Sequence, residues 1–226
     1  KEIFLDSATA EIINVAQPGQ IRYTLDGSEP TKNSALYEGP VKIIASGTMK
    51  ARTFWPDGTK SEVSGRSWEK VGLRPGKRVK GLKPGLRYTY YEQSEEERPE
   101  RLPDFDRLEP KNTGIAGKCD LSCAQRDEYF ALRFEGFIKV PADGIYTFYT
   151  DSDDGSRLYI DSVEVVDNDY SHPMKEEAGQ IALSAGTYPF ELEFYQGMGG
   201  KGLVGRYEGP GIEKQEIPPG VLFHKD

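Results

Sequence analysis

Three carboxylates fall within four residues at Asp151, Asp153 and Asp154, between an aromatic run and the stretch Ser156-Arg-Leu-Tyr-Ile-Asp161. Like charges this close repel, so the cluster is favoured only where a cation, backbone N–H groups or full solvation offsets the repulsion. Adjacent carboxylates are hard oxygen donors of the kind calcium takes in sets of six to eight. The competing reading is structural: an Asp caps its own turn, and Gly155 supplies an unusual backbone angle before the next strand. An EF-hand is ruled out, because Asp151-Ser-Asp-Asp-Gly155 lacks the acidic fifth position and no closing Glu follows. Asp167-Asn168-Asp169 reads as a polar turn, with ligands as its alternative. Tyr149, Tyr170 and Tyr195 are candidates near the tip to stack on a sugar ring, whose C–H face is apolar, with core or rim packing as the commoner fate of the 13 tyrosines. His172 precedes Pro173 and suits a hydrogen bond within a loop, since no orienting partner for catalysis is evident.

Cys119 and Cys123 are the two cysteines. A bridge across so small a loop would contribute about 2 kcal/mol at most and would imply an oxidising compartment. Two free thiols are the alternative. A zinc site is disfavoured, because only His172 and His224 could complete four ligands. No Gly-x-Ser-x-Gly, His-Glu-x-x-His or phosphate-cradling loop occurs, so the chain is read as non-catalytic. Its 37 acidic residues leave a paired-carboxylate glycosidase formally open.

Short aromatic strands must position these groups. The 226 residues include 13 Tyr, 10 Phe, 25 Gly and 15 Pro, a balance that suits strands and turns and predicts an all-β protein. The formal charge of −8 opposes binding to nucleic acid or to an anionic membrane. No apolar run is long enough to span a bilayer, and the absence of a leader-like start suggests an excised fragment. Residues 1–68 read as strands separated by turns, with Asp26-Gly27 and Asp57-Gly58 as the strongest turn signals. Residues 69–80, rich in Pro-Gly and basic side chains, read as a linker. Residues 92–107 read as surface loop. Phe130, Leu132 and Phe134 alternate with Ala131, Arg133 and Glu135, and Phe190, Leu192 and Phe194 repeat the pattern, which predicts strands with one buried face. Tyr-Glu-Gly-Pro occurs at 37–40 and 207–210 and is read as turn chemistry used twice.

Two resemblances follow. Ile21-Arg-Tyr-Thr-Leu-Asp-Gly-Ser-Glu-Pro-Thr31, with Ser34, Tyr37, Pro40, Lys50-Ala51 and Ser61, resembles the chitobiase and β-hexosaminidase carboxy-terminal domain, an Ig- or Fn3-like module without catalytic residues. Phe130-Ala-Leu-Arg-Phe-Glu-Gly-Phe-Ile-Lys-Val-Pro141, Gly144-Ile-Tyr-Thr-Phe148, Ser152-Asp-Asp-Gly-Ser-Arg-Leu-Tyr-Ile-Asp161 and Leu183-Ser-Ala-Gly186 resemble the PA14 domain. The resemblances imply a small Ig/Fn3-like β-sandwich over 1–68 and a larger PA14-type antiparallel β-sandwich or barrel over 81–226. The second implies glycan binding, because yeast adhesins of that family hold calcium on an Asp-Asp pair that Asp153 and Asp154 match. The sequence departs from those adhesins at Gln196-Gly-Met-Gly-Gly-Lys-Gly202, which carries no Asn or carboxylate.

The expected function is therefore a non-catalytic accessory region of an exported glycoside hydrolase, β-hexosaminidase- or fucosidase-like, secreted, periplasmic or at the cell surface. Its expected partners are a glycan and a linked catalytic domain, with Asp153, Asp154, Tyr149, Asn168, Tyr170, His172 and Tyr195 at the sugar site and calcium on Asp153 and Asp154. The alternative is an architectural module that packs on a catalytic domain or partner subunit without binding sugar.

Overall fold

In the computed structural model, which describes residues 2–13, 19–97 and 99–225, nineteen strands form two compact units, 1–72 and 73–226. The first unit contains β1 (Glu2–Phe4), β2 (Ala8–Ala10), β3 (Gln20–Thr24), β4 (Ala35–Leu36), β5 (Val41–Ile43), β6 (Gly47–Phe54) and β7 (Ser64–Lys70). Five of these form a sheet in the order β1-β7-β6-β3-β4, and β2 pairs with β5. Phe4, Ala10, Ile43, Met49 and Trp68 close the core. Both predicted Asp-Gly turns use one device. The carboxylate of Asp26 accepts from the backbone N–H and hydroxyl of Ser28 (3.0 and 2.6 Å), and Asp57 does the same with Thr59 (2.9 and 2.6 Å). These donors hold both carboxyls below the usual range.

The second unit is a sandwich. Its strands are β8 (Lys83–Pro84), β9 (Leu86–Glu92), β10 (Pro110–Ala116), β11 (Phe130–Val140), β12 (Gly144–Asp153), β13 (Ser156–Ile160), β14 (Val163–Asn168), β15 (Lys175–Leu183), β16 (Gly186–Gln196), β17 (Gly202–Gly209), β18 (Ile212–Glu216) and β19 (Leu222–His224). One sheet runs β10-β9-β11-β16-β13-β14, with β19 paired to β11 and β8 to β19, and the other runs β15-β12-β17-β18. The alternation read from β11 and β16 is the reason the sheets stack. Phe130, Leu132, Phe134, Phe190, Leu192 and Phe194 all point inward, where they meet Tyr146 and Phe148 of β12.

Two segments depart from their expected roles. Residues 69–80 are shared out: Glu69 and Lys70 complete β7, whereas the backbone N–H groups of Arg74 and Lys77 donate to the carbonyls of Ala182 and Thr187 (2.9 and 2.8 Å). The passage 92–107 does more than line the surface. Leu102 and Phe105 are buried against Tyr91, Ala131 and Tyr195, and they cover part of the outer face of the larger sheet. Alternation could not reveal this, because one apolar residue every few positions anchors a loop as well as it marks a strand.

Cys119 and Cys123 are free thiols, which corrects the expected bridge. Cys119 is buried in the core, whereas Cys123 closes a short 3-10 turn (Leu121–Cys123) in which Asp120 accepts from the backbone N–H of Ser122. Burial pushes the Cys119 thiol well up, and the Cys123 thiol to about 11.

Candidate functional site

Asp153 ends β12, and the peptide joining it to Asp154 is cis. The chain then turns through Gly155 into β13. A Cβ at Gly155 would meet the Tyr195 ring at 2.6 Å and the Tyr170 carbonyl oxygen at 3.0 Å, so only glycine lets the strand pass. Asp151, grouped with this pair by sequence, belongs elsewhere: it lies within β12 and pairs with Arg206 at 3.0 Å. Its charge is thereby offset away from the tip.

The two remaining carboxylates have different environments. Asp154 is 3% exposed; its Oδ1 accepts from the Ser171 hydroxyl (2.8 Å) and the His172 N–H (3.2 Å), and its Oδ2 from the Gly197 N–H (2.8 Å). It ties two loops together. Asp153 is half-buried, and its carboxyl is pushed up by desolvation and then by the charge of Asp154, against weaker opposing effects of His172 and the Met174 backbone. A carboxylate in this position gains from any cation that reaches it. Its Oδ2 faces the glycine loop so closely that a Cβ at Gly200 would stand 2.6 Å away.

That loop is built from glycines for a reason other than ligand type. The Tyr129 N–H donates to the Gly197 carbonyl (3.0 Å), the Gln196 side chain donates to the Gly200 carbonyl (2.8 Å), and Gly199 donates to Glu128 (3.1 Å). The opposite loop is fixed by a segment distant in sequence. Ser171 donates to the Glu100 carbonyl (2.9 Å), and Asp169, almost wholly buried, accepts from the Leu102 N–H (2.7 Å) and pairs with Arg157 (3.0 Å) and Arg101 (3.4 Å). Arg101 also lies over the Tyr170 ring at 4.9 Å, and that ring stays 58% exposed. Met174 and Met198, on the two loops, are also exposed. An acidic, water-facing tip is thus flanked by one aromatic and two thioether side chains.

Among the sequence candidates, the structure brings Asp153, Asp154, Tyr170 and His172 together. The ring nitrogens of His172 face the carbonyls of Pro173 (2.9 Å) and Asn168 (3.1 Å), so its role is to brace the loop. The other three do not reach the tip's open surface. Tyr195 is fully buried beside Tyr91 and Phe105, because its strand position faces the covering segment. Asn168 is 2% exposed and donates to Ser152 and to the carbonyls of Thr150 and Lys175, clamping β12, β14 and β15. Tyr149 sits further back on β12, where its hydroxyl donates to Glu208 (2.7 Å) under the ammonium of Lys214. Burial and Glu208 push that phenol up to about 12. Sequence reasoning missed Ser171, the Gly197 N–H and the two methionines. Backbone donors leave no trace in residue type, and Met198 stands alone among glycines.

No group of three or more His, Cys, Asp or Glu side chains is disposed around a metal position among the described residues. The groups whose chemistry would suit a hard cation are the Asp153 carboxylate, the spare lone pairs of Asp154 and the remaining lone pairs of the glycine-loop carbonyls, all of them oxygens.

The PA14 domain model matches residues 82–220, and the Fn3-associated model matches residues 11–68. A β-hexosaminidase of Porphyromonas gingivalis is 28% identical over 163 residues, covering 68% of this chain, and the chain spans 20% of that relative's length. Among solved structures, a PA14 sugar-binding domain from an RTX adhesin superposes with a TM-score of 0.52 at 16% identity, covering 62% of this chain and 98% of that one. The Epithelial Adhesin 9 A domain of Candida glabrata, solved in complex with Galβ1-4GlcNAc, superposes with a TM-score of 0.52 at 13% identity, covering 67% of this chain and 94% of the adhesin.

Proposed function

The chain belongs to the PA14 domain family, and from that membership we propose that its second unit binds carbohydrate at the Asp153 tip as the accessory part of an exported glycoside hydrolase. The observation that carries the proposal is the Asp153 carboxylate, pushed up by desolvation and by the charge of Asp154 and, among the described residues, in no ion pair with Lys or Arg, beside the exposed Tyr170, Met174 and Met198. Sugars present vicinal hydroxyls on one side and apolar C–H faces on the other, and the tip offers a surface for each. Asp153, Asp154 and the carbonyls of the 197–201 loop would hold a calcium ion, which when bound supplies a hard charge for hydroxyl oxygens. The chain's own residues do the rest. Ser171, His172 and Gly197 fix the Asp154 carboxylate, the 99–102 segment holds Tyr170 in place, and the glycines admit a ligand close to Asp153. Binding raises the local substrate concentration for a linked catalytic domain. Support for that domain's identity comes from the β-hexosaminidase relative, most of whose length lies outside this chain.

The test is a glycan array probed with the chain in calcium and again in EDTA. Binding should be lost in EDTA and reduced tenfold or more in Asp153→Asn, which keeps size and hydrogen bonding while removing charge. Retention that ignores both changes would sink the tip as the site. An absence of binding in either buffer would favour a purely architectural role.

A further inference from the structure

The outer face of the larger sheet is covered only in part. Leu102, Phe105 and Leu108 lie over Tyr91, Ala131 and Tyr195, and beyond them the face opens into a groove of about 610 Å³. Its floor is laid out by strand register. Arg87, Glu135, Glu191 and Tyr159 stand side by side on β9, β11, β16 and β13, and Arg133 and Glu193 form the next row. Four strands at about 4.8 Å spacing make the first row roughly 14 Å long, enough for about three sugar rings.

The polar groups are set before any ligand arrives. Arg133 donates through Nη2 (3.0 Å) and Nε (3.3 Å) to Glu193, lies 3.3 Å from Glu191 and 3.4 Å from Asp106, and stacks over the Phe105 ring at 4.8 Å. Pre-set groups lose little entropy on binding. Charge around the groove is close to balance, with Arg87, Arg133 and Lys225 against Glu135, Glu191 and Glu193. Desolvation, with help from Glu193 and Glu135 and against Arg133, pushes Glu191 up to about 7, so near neutrality this carboxyl offers an O–H donor as well as an acceptor. A balanced floor with donors and acceptors side by side favours neither a cation nor an anion, and Tyr159 adds an apolar ring at one end.

We propose that this groove is a second carbohydrate site, which takes an uncharged oligosaccharide laid across β9, β11, β16 and β13 without a metal. The tip lies at the other end of β13, beyond Ser156, so the two sites are separate and each can fail alone.

The test uses the whole chain on a glycan array in EDTA, where tip binding is silenced, with Asp153→Asn as a further control. Uncharged oligosaccharides of three or more sugars should be retained, with affinity reduced tenfold or more by Tyr159→Ala and unchanged by Asp153→Asn. Glu135→Ala, at an exposed position, should give a similar loss and covers the case in which the tyrosine variant folds poorly. The proposal is overturned if nothing uncharged is retained in EDTA, or if retention ignores both groove variants. It is equally overturned if sedimentation shows Tyr159→Ala abolishing a dimer of the chain instead, which would assign the groove to a second copy. Calcium-dependent binding that Asp153→Asn removes would stand or fall independently of these results.

Discussion

Asp153 and Asp154 are adjacent and chemically alike, yet removing them should have very unequal structural consequences. Asp154→Ala strips the acceptor from Ser171, His172 and Gly197 and leaves buried donors unpaired, so the second unit should lose about 2–3 kcal/mol in denaturant unfolding without calcium. Asp153→Ala removes a carboxylate that is already disfavoured by desolvation and by its neighbour, so the same measurement should move by less than about 0.5 kcal/mol. Equal losses from both would contradict the division between a strut and a ligand. Glu191 gives a pH signature with a definite sign. Its folded-state carboxyl titrates near 7 against an ordinary value of 4.5, so folding favours the protonated form. The stability it contributes is present below about pH 4.5 and is lost as pH rises to about 7. Glu191→Gln should therefore be near neutral at pH 5 and stabilising at pH 8, by about 1 kcal/mol once the screening of a partly exposed group is allowed for. A difference that stays flat between those pH values would count against it.

At the level of elements, alternation in β11 and β16 identified the strands whose inner faces make the core, because a half-buried strand writes its burial into every second residue. The turns at Asp26 and Asp57 were legible for a similar reason: side chain and glycine act within three residues. Tyr195 was misread because alternation fixes which face a residue takes and is silent about what covers that face. The cover comes from Leu102 and Phe105, nearly a hundred residues earlier. The bridge between Cys119 and Cys123 failed on the same ground, since spacing allowed it and a core position for Cys119 did not call for it. Both thiols should resist alkylation in the native protein at pH 7 and react on unfolding, Cys123 before Cys119. A further element-level constraint lies at Gly179 on β15, where an added Cβ would fall inside the Val165 carbonyl oxygen of β14. Gly179→Ala must push two strands apart, and thermal unfolding should show a loss of about 3 kcal/mol or a failure to fold.

Over the whole molecule, the two compact units make the calcium reading open to a calorimetric check. A ligand that binds one folded unit stabilises that unit alone, by an amount set by its concentration relative to its dissociation constant. Calcium at a hundredfold excess over that constant should raise the transition of the unit 73–226 by about 2.7 kcal/mol and leave that of 1–72 where it was. The shift should be absent in Asp153→Asn. Isolated expression of the second unit should begin at Leu73, because Arg74 and Lys77 are hydrogen-bonded to β15 and β16; starting at 81 would discard those bonds.

The pairing of β8 with β19 sets Lys83 beside His224 and Pro84 beside Phe223. That ladder lies close to the Phe137 end of β11, whereas the glycine loop meets Tyr129 beside the opposite end. Tension between residues 73 and 224 would be borne by that short ladder together with the bonds of Arg74 and Lys77 to β15 and β16, and it would bypass the carboxylates, which sit at the far end of β12.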